Sequence, residues 1–474
     1  MKFLKYLLLT LLGVVLLAVI SGFILAELER RDLAHMSPSK QQENYLIKGA
    51  HIIPMDQDTL LADHDLRIKS GRIVEIGIDL DPKGDSVINA KGKYLLPGLM
   101  DLHVHLWDAY ELGLYLSQGV TTIRNLWGQP MHLRIKEELN EGALIGPNFF
   151  TSSPKLSGPA YSTTDNKPVH NGKEAERLLK YYKEAGYDFV KTYYGISDSV
   201  FKAVLKEAIK LNLDVVCHPS AEFNYFEQFQ RPVRSIEHAE DIVQVALNYQ
   251  LDTLQLKALA RKFGKHPHIA LCPTQTVYHN IYRLIEEMDA AELEQLRAMN
   301  PMIRKLDSKA QFERWQDAKT RDPEIGAQIE KQHQFQLNAI KLIHEAGGNI
   351  VCGTDAGIGI TQPAYSIHKE LAFYQEAGLS NFEVLETATL NASKSHDFLK
   401  DLGSISLGKQ ADVLILDQNP LEDLHHLKEI SGLVVKGRFI AKKQLGYMEQ
   451  KALERENFLI SLLRYAENLI VERY

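Results

Sequence analysis

From Pro97 to about residue 398 the chain alternates short apolar runs with longer amphipathic ones. That rhythm constrains the fold more than any single residue. A strand that feeds a helix and returns as a parallel strand buries its sheet on both faces, and eight such units close into a barrel. Eight runs read as strands: Gly98–His105, Val120–Asn125, Asn148–Ser152, Phe189–Tyr193, Asp214–His218, Ser235–His238, Ile269–Thr274 and Asn349–Asp355. The expected fold is therefore α/β, a (β/α)8 TIM-like barrel over residues 98–398. Between the last two strands lies an oversized stretch, about Ile281 to Ala346, rich in Glu, Lys, Arg and Gln. An insertion there sits on the catalytic face, as a lid over residues 281–330 or as a solvated elaboration; the sequence leaves both open.

The flanks have a different texture. Residues 44–97 and 399–445 carry short alternating strands punctuated by Gly49, Gly71 and Gly92, and are expected to join as one small composite β-sandwich. Residues 446–474 read as an amphipathic helix with Leu453, Leu459, Leu463, Ala466 and Ile470 near one face. Leu7 to Ala26 is almost unbroken apolar sequence, preceded by Lys2 and Lys5, and about 30 Å long as a helix. Residues 1–26 are thus expected to be a transmembrane anchor touching membrane lipid, followed by a linker over 27–43. The catalytic part would lie outside the cytoplasm, in a bacterial periplasm. The rival reading is a signal segment, cleaved to leave a secreted protein.

A formal charge of −7 with no basic block excludes a nucleic-acid footprint. Cys217, Cys272 and Cys352 are odd in number, far apart and set in apolar runs, so they read as buried hydrophobes rather than a disulfide framework.

The chemistry gathers at predicted strand ends, where barrel active sites assemble. His103 and His105 alternate with Val104 on the first strand and so share a face. A lone His-x-His pair is weak. Four more residues strengthen it: Lys191 ends the fourth strand, His218 the fifth, His238 the sixth and Asp355 the eighth. An ionisable group without a partner in such apolar surroundings would be costly.

With those residues in place, the chain resembles the amidohydrolase superfamily, in the branch of imidazolonepropionase-like proteins and prolidase-type dipeptidases. The phrases PGLMDLHVH, GVTTIRN, GPNFFTSS, DFVKTYY, SIEHAED, GTDAG and GSISLGKQADVLILDQNPLEDL occur in that order over residues 45 to 440. The resemblance implies two divalent metal ions per chain, Zn2+ by the donor chemistry. His103, His105 and Asp355 would hold the more buried ion, and His218 and His238 the more exposed one. Lys191, carboxylated by carbon dioxide, would bridge both. One departure stands out: Arg124-Asn125 replaces the branch's usual Arg-Asp.

The expected function is hydrolysis of a carbon–nitrogen bond in a small amide or peptide-like substrate. Asp355, Lys191, His218 and His238 would do the catalytic work. Tyr193 and Tyr194 would contact the substrate, and Arg124 would bind its carboxylate or form a structural ion pair. A single-metal deaminase or cyclic-amide hydrolase is the alternative within enzymes; a membrane-tethered binding protein is the alternative outside them. A homo-oligomer is left open.

Overall fold

A computed structural model describes residues 44–471, together with scattered helical positions between residues 5 and 33. The amino-terminal flank supplies β1 (Tyr45–Ile52), β2 (Leu61–Lys69), β3 (Arg72–Gly77), β4 (Ser86–Asn89) and β5 (Tyr94–Pro97). Then come β6 (Leu99–Val104), β7 (Val120–Asn125) and β8 (Asn148–Thr151), and a short excursion through β9 (Lys155–Ser157) and β10 (Asn166–Pro168). The parallel series resumes with β11 (Phe189–Thr192), β12 (Asp214–Cys217), β13 (Val233–Glu237), β14 (Ala270–Cys272) and β15 (Asn349–Ile350). Strands β16 (Val413–Leu416), β17 (Ile430–Val435) and β18 (Arg438–Ala441) complete the chain.

The parallel strands form two sheets, β6-β7-β8 and a larger one containing β11-β12-β13-β14-β15. Two seams join them into a ring, as in a TIM-like barrel. At one, Ser152 bridges Phe189 and the Ser153 amide donates to the Phe189 carbonyl at 2.8 Å. At the other, Val104 bridges Ala356 and the Leu102 amide donates to the Cys352 carbonyl at 2.9 Å. All eight expected barrel strands occur, with pairing that stops short of the predicted ends. His105, His218, His238 and Asp355 lie just beyond the ladder, where the backbone turns toward the mouth.

The flanking strands make one mixed eight-stranded sheet, in the order β18-β17-β16-β5-β1-β2-β3 with β4 on β1. This single sheet stands where a sandwich was expected. Its strand β16 is buried on both faces, while β3 and β4 are largely exposed. Val413 and Ile415 of β16 point into a small core with Ile47, Ile52 and Leu66, while Leu414 and Leu416 point into the barrel's core. The three cysteines are free and buried, as expected.

The insertion before β15 is helical, with Gln275–Glu286, Lys309–Arg321 and Ile325–Glu345 as its main helices. The carboxy-terminal segment departs from the single amphipathic helix predicted for it. It forms Lys442–Glu454 and Phe458–Val471, broken where Arg455 and Asn457 are drawn into the protein. Two of the leucines expected on the covered face, Leu459 and Leu463, are 41% and 39% exposed, and Ile470 is 70% exposed. Ile460, Ser461 and Asn468 are buried instead.

The expected membrane anchor needs correction. Among the described residues no helix is long and apolar enough to cross a membrane. Most of residues 7–26 lie outside the described residues. The placement outside the cytoplasm by a membrane anchor loses its support with that anchor. Part of the expected linker is structured: Glu29 pairs with Arg464, and Asp32 with Lys451 at 3.0 Å.

Candidate metal centre

His103 and His105 are separated by one residue along β6 and converge on Asp355. Their Nε2 atoms lie 3.2 Å and 2.8 Å from the same Asp355 oxygen, Oδ1. His238 follows β13 with its ring centroid 4.8 Å from that of His103, and His218 follows β12 with its centroid 4.5 Å from His238. One donor atom each of His103, His238 and Asp355 falls within a mutual 4.8 Å. The structure therefore brings all five of these predicted residues to one floor, with Lys191 on the adjacent β11.

Local backbone conformation accounts for this convergence. His238 and Asp355 have φ of 67° and 56°, and Thr274 has 50°. Left-handed non-glycine residues are uncommon and concentrate where a site holds them in place. Here the turns end the ladder and swing side chains inward. Thr274 also meets His238, its hydroxyl 2.8 Å from the imidazole Nδ1. Gly353 is a forced choice, since a Cβ there would stand 2.8 Å from the Cβ of His103 and closer still to Cys272.

Burial sets the protonation of the floor. It pushes His105 down to about 4, and His218 and His238 well below the usual histidine range, so these imidazoles are neutral donors. Burial alone would raise the Asp355 carboxyl, but His103 and His105 hold it well below the carboxylate range. Lys191 is 1% exposed, and burial lowers its ammonium to about 8 against the pull of Glu237 and Asp355.

A cation would fit this donor set. Lys191 Nζ, both ring nitrogens of His218 and Asp355 Oδ1 are buried without a hydrogen-bond partner. Polar atoms so placed are rare unless something else satisfies them. The two histidine nitrogens facing one carboxylate oxygen, without hydrogen-bond geometry for that oxygen, have the disposition of donors sharing a cation. His103, Glu237 and Cys272 also cluster. That group suits a metal poorly, because burial keeps the Cys272 thiol protonated and Glu237 is already engaged by Arg124.

Tyr193 and Tyr194 stand at the mouth. Their ring centroids lie 4.7 Å and 3.9 Å from His218, and both line the cavity above the floor. Arg124 does not reach that cavity, which corrects the expectation that it binds substrate. Strand alternation turns it into the barrel, where it is fully buried. Its guanidinium donates to Glu237 Oε1 at 2.9 Å and to His396 Nε2 at 2.8 Å, so the structural ion pair holds. Asn125 spends its amide on the Trp127 carbonyl and Thr151 hydroxyl, at 3.0 and 2.9 Å, and accepts from the Leu106 amide at 3.0 Å.

Sequence reasoning missed several participants. Glu237 accepts from His103 Nδ1 at 2.7 Å, which aims Nε2 at the floor. Asp241 Oδ2 sits 3.2 Å from His218 Nε2. Asp101 takes the Thr354 amide and hydroxyl at 3.0 and 2.7 Å, tying the first strand to the eighth. Lys155 and Asp165, paired at 2.6 Å on the β9–β10 excursion, also line the cavity. The available signal was Glu237 itself: an acid at the end of an apolar strand beside His238.

The cavity over the floor measures about 960 Å³ and is roofed by the insertion and by the helix Phe458–Val471. The chain is 24% identical to a 5'-deoxyadenosine deaminase of Methanobrevibacter smithii, over 79% of its own length and 84% of the relative's. In structure it resembles a bottromycin amidohydrolase, with a TM-score of 0.72 at 21% identity, covering 89% and 92% of the two chains. It also resembles a Xaa-Pro dipeptidase with bound methionine, with a TM-score of 0.64 at 18% identity, covering 84% and 100%. The model of the amidohydrolase family matches residues 94–440, about three quarters of the sequence. The chain is therefore an enzyme of the amidohydrolase family.

Proposed function

We propose that the protein hydrolyses the carbon–nitrogen bond of a small amide or peptide-like molecule at a centre of two Zn2+ ions. The observation that carries this reading is the lysine. Lys191 is buried among neutral imidazoles, its ammonium weakened by burial and its Nζ without a partner. As a neutral amine it would add carbon dioxide with release of a proton, and would then supply carboxylate-like oxygen donors to the metal centre. His103, His105 and Asp355 would hold one ion, and His218 and His238 the other.

Such ions, when bound, lower the pKa of water and polarise a carbonyl. The chain's own groups do the rest. Asp355 faces the cavity as a carboxylate, placed to take the proton of the attacking water and hand it to the leaving nitrogen. Burial raises the Tyr193 and Tyr194 phenols, so both keep their protons and can donate to the oxygen that gains charge in the tetrahedral state. Glu237 holds the His103 tautomer.

Metal analysis of the purified protein tests this, with about two ions per chain expected. In Lys191→Ala one ion should be lost and amide hydrolysis abolished, and short carboxylic acids should restore part of the rate by replacing the missing oxygens. One tightly held ion, unchanged in Lys191→Ala, would instead support a single-metal deaminase. No bound metal at all would leave a binding protein.

A further inference from the structure

The cavity has two unlike halves. The floor carries the proposed metal ligands and Asp355, with Tyr193 and Tyr194 above them. Away from the floor the lining carries an apolar patch, Trp107, Leu284, Met302, Ile303, Trp315 and Ile360, with the polar Asp307, Arg314 and Gln328 of the insertion beside it. The residues of the patch belong to one hydrophobic cluster that unites the insertion with the loop after β15. Leu284, Met302, Ile303 and Ile360 are buried, so the wall is packed rather than a scatter of surface side chains.

The wall is also fastened to the barrel. Asn280 donates to Thr361 at 3.0 Å, Asp307 accepts from the Gly359 amide at 2.7 Å, and Trp107 Nε1 donates to the Gly357 carbonyl at 2.8 Å. It meets the floor through tilted ring contacts, by way of the buried Trp127. Trp107 lies 4.1 Å from Trp127, which lies 6.4 Å from His105, centroid to centroid. A ligand spanning from the metal ligands to the roof therefore runs along an aromatic and aliphatic surface. A small polar amide would occupy the floor and leave that surface against water.

Building on the amide-hydrolysis reading, we infer that the substrate carries a bulky apolar group, aromatic or long-chain, on one side of the scissile bond, seated between Trp107 and the insertion. Desolvating that group supplies binding energy remote from the reacting atoms.

Two series of N-acyl amino acids test the inference in the zinc-loaded enzyme. One lengthens the acyl chain and the other enlarges the amino-acid side chain. In one series kcat/KM should rise by about fourfold per methylene, the ordinary water-to-apolar transfer effect, until the cavity is filled. Leu306→Asp and Leu462→Asp alter cavity-lining positions that are 54% and 40% exposed, where a carboxylate keeps contact with water. Both should flatten the rise while leaving the smallest substrate's rate unchanged.

A second readout needs no turnover. Two of the protein's three tryptophans, Trp107 and Trp315, line the cavity, so the same probes should shift the fluorescence of metal-free protein, more with each methylene. Equal cleavage of short and long probes would overturn the apolar pocket and leave amide hydrolysis standing. A chain-length-dependent fluorescence shift that both variants weaken, with no amide cleaved, would support the pocket and overturn amide hydrolysis. Flat rates with no fluorescence response would overturn the pocket.

Discussion

Two buried polar clusters lie near the barrel mouth, and they handle the cost of burial in opposite ways. In the first, Arg455 reaches in from between the carboxy-terminal helices and donates to Asp108 at 2.9 Å, Glu111 at 3.2 Å and the Ala298 carbonyl at 3.0 Å. Asn300 adds a bond to Asp108 at 2.7 Å, and the Tyr110 amide another at 2.9 Å. In the second, the metal floor, Lys191, His218 and Asp355 keep buried atoms without partners. A cluster satisfied within the chain ties segments together; one left open is completed from outside. On the proposed function, the difference separates structural from catalytic charge at similar burial.

The sharpest way to break the comparison is to disable one residue in each. Asp355→Asn should lower turnover by on the order of 10²–10⁴-fold, because the amide cannot carry the proton, with only the lesser stability loss of its His103 and His105 contacts. Arg455→Met should do the reverse. It leaves Asp108 buried without its countercharge and should cost roughly 3–5 kcal/mol of stability, with metal content per folded molecule unchanged. Denaturant unfolding and elemental analysis on both variants decide it. Normal turnover in a metal-replete Asp355→Asn protein would remove Asp355 from proton transfer.

The next effect is smaller and concerns only the metal-free protein. Burial holds Lys191 at about 8 in the fold, against an ordinary value of 10.5. The unfolded chain binds this proton more tightly, so below pH 8 the lysine opposes folding. The opposition fades as pH rises from about 8 to 10.5, because only the unfolded state is then still protonated. The full difference is on the order of 3 kcal/mol. Lys191→Met should therefore be more stable than the parent at pH 7, and the gap should close toward pH 10.5. A gap that does not change with pH would mean that Lys191 is not held in this environment.

How much of this was legible in the sequence depends on the range of each signal. His103 and His105 were readable because strand alternation is local. The eight strands were readable because each is an apolar run of its own. The role of Glu237 was not, since it depends on β13 meeting β6 across the barrel. The choice between Arg124's two readings, substrate carboxylate or structural ion pair, was open for the same reason: nothing in GVTTIRN says that Glu237 lies opposite. The break at Arg455 was missed because helical periodicity runs straight through it, and only Asp108 and Glu111, some 340 residues away, pull it inward. The apolar run near the amino terminus met every compositional test for a spanning helix. No described helix meets those criteria, and most of that run lies outside the described residues.

Glu237 gives the smallest expected effect, and it belongs to both kinds of cluster. One carboxylate oxygen accepts from Arg124 and the other from His103 Nδ1, so it is satisfied within the chain while orienting a residue of the open floor. Its pKa reflects this: burial would raise the carboxyl, but Arg124 and then His103 hold it well below the usual range. Glu237→Gln preserves size and one acceptor but removes the charge that favours an Nδ1-protonated His103 and makes its Nε2 a better donor. Loss of such an outer partner typically weakens metal binding by about 10–100-fold. Chelator competition should show that drop in zinc affinity. The Arg124 side also predicts some loss of stability, so the competition must be run where unfolding curves show the variant folded. Restoring zinc to saturation should then recover most of the turnover, because no group that touches the substrate has changed. Unchanged zinc affinity would assign Glu237 wholly to the Arg124 pair; lost turnover at saturating zinc would place it closer to the reacting atoms than the geometry does.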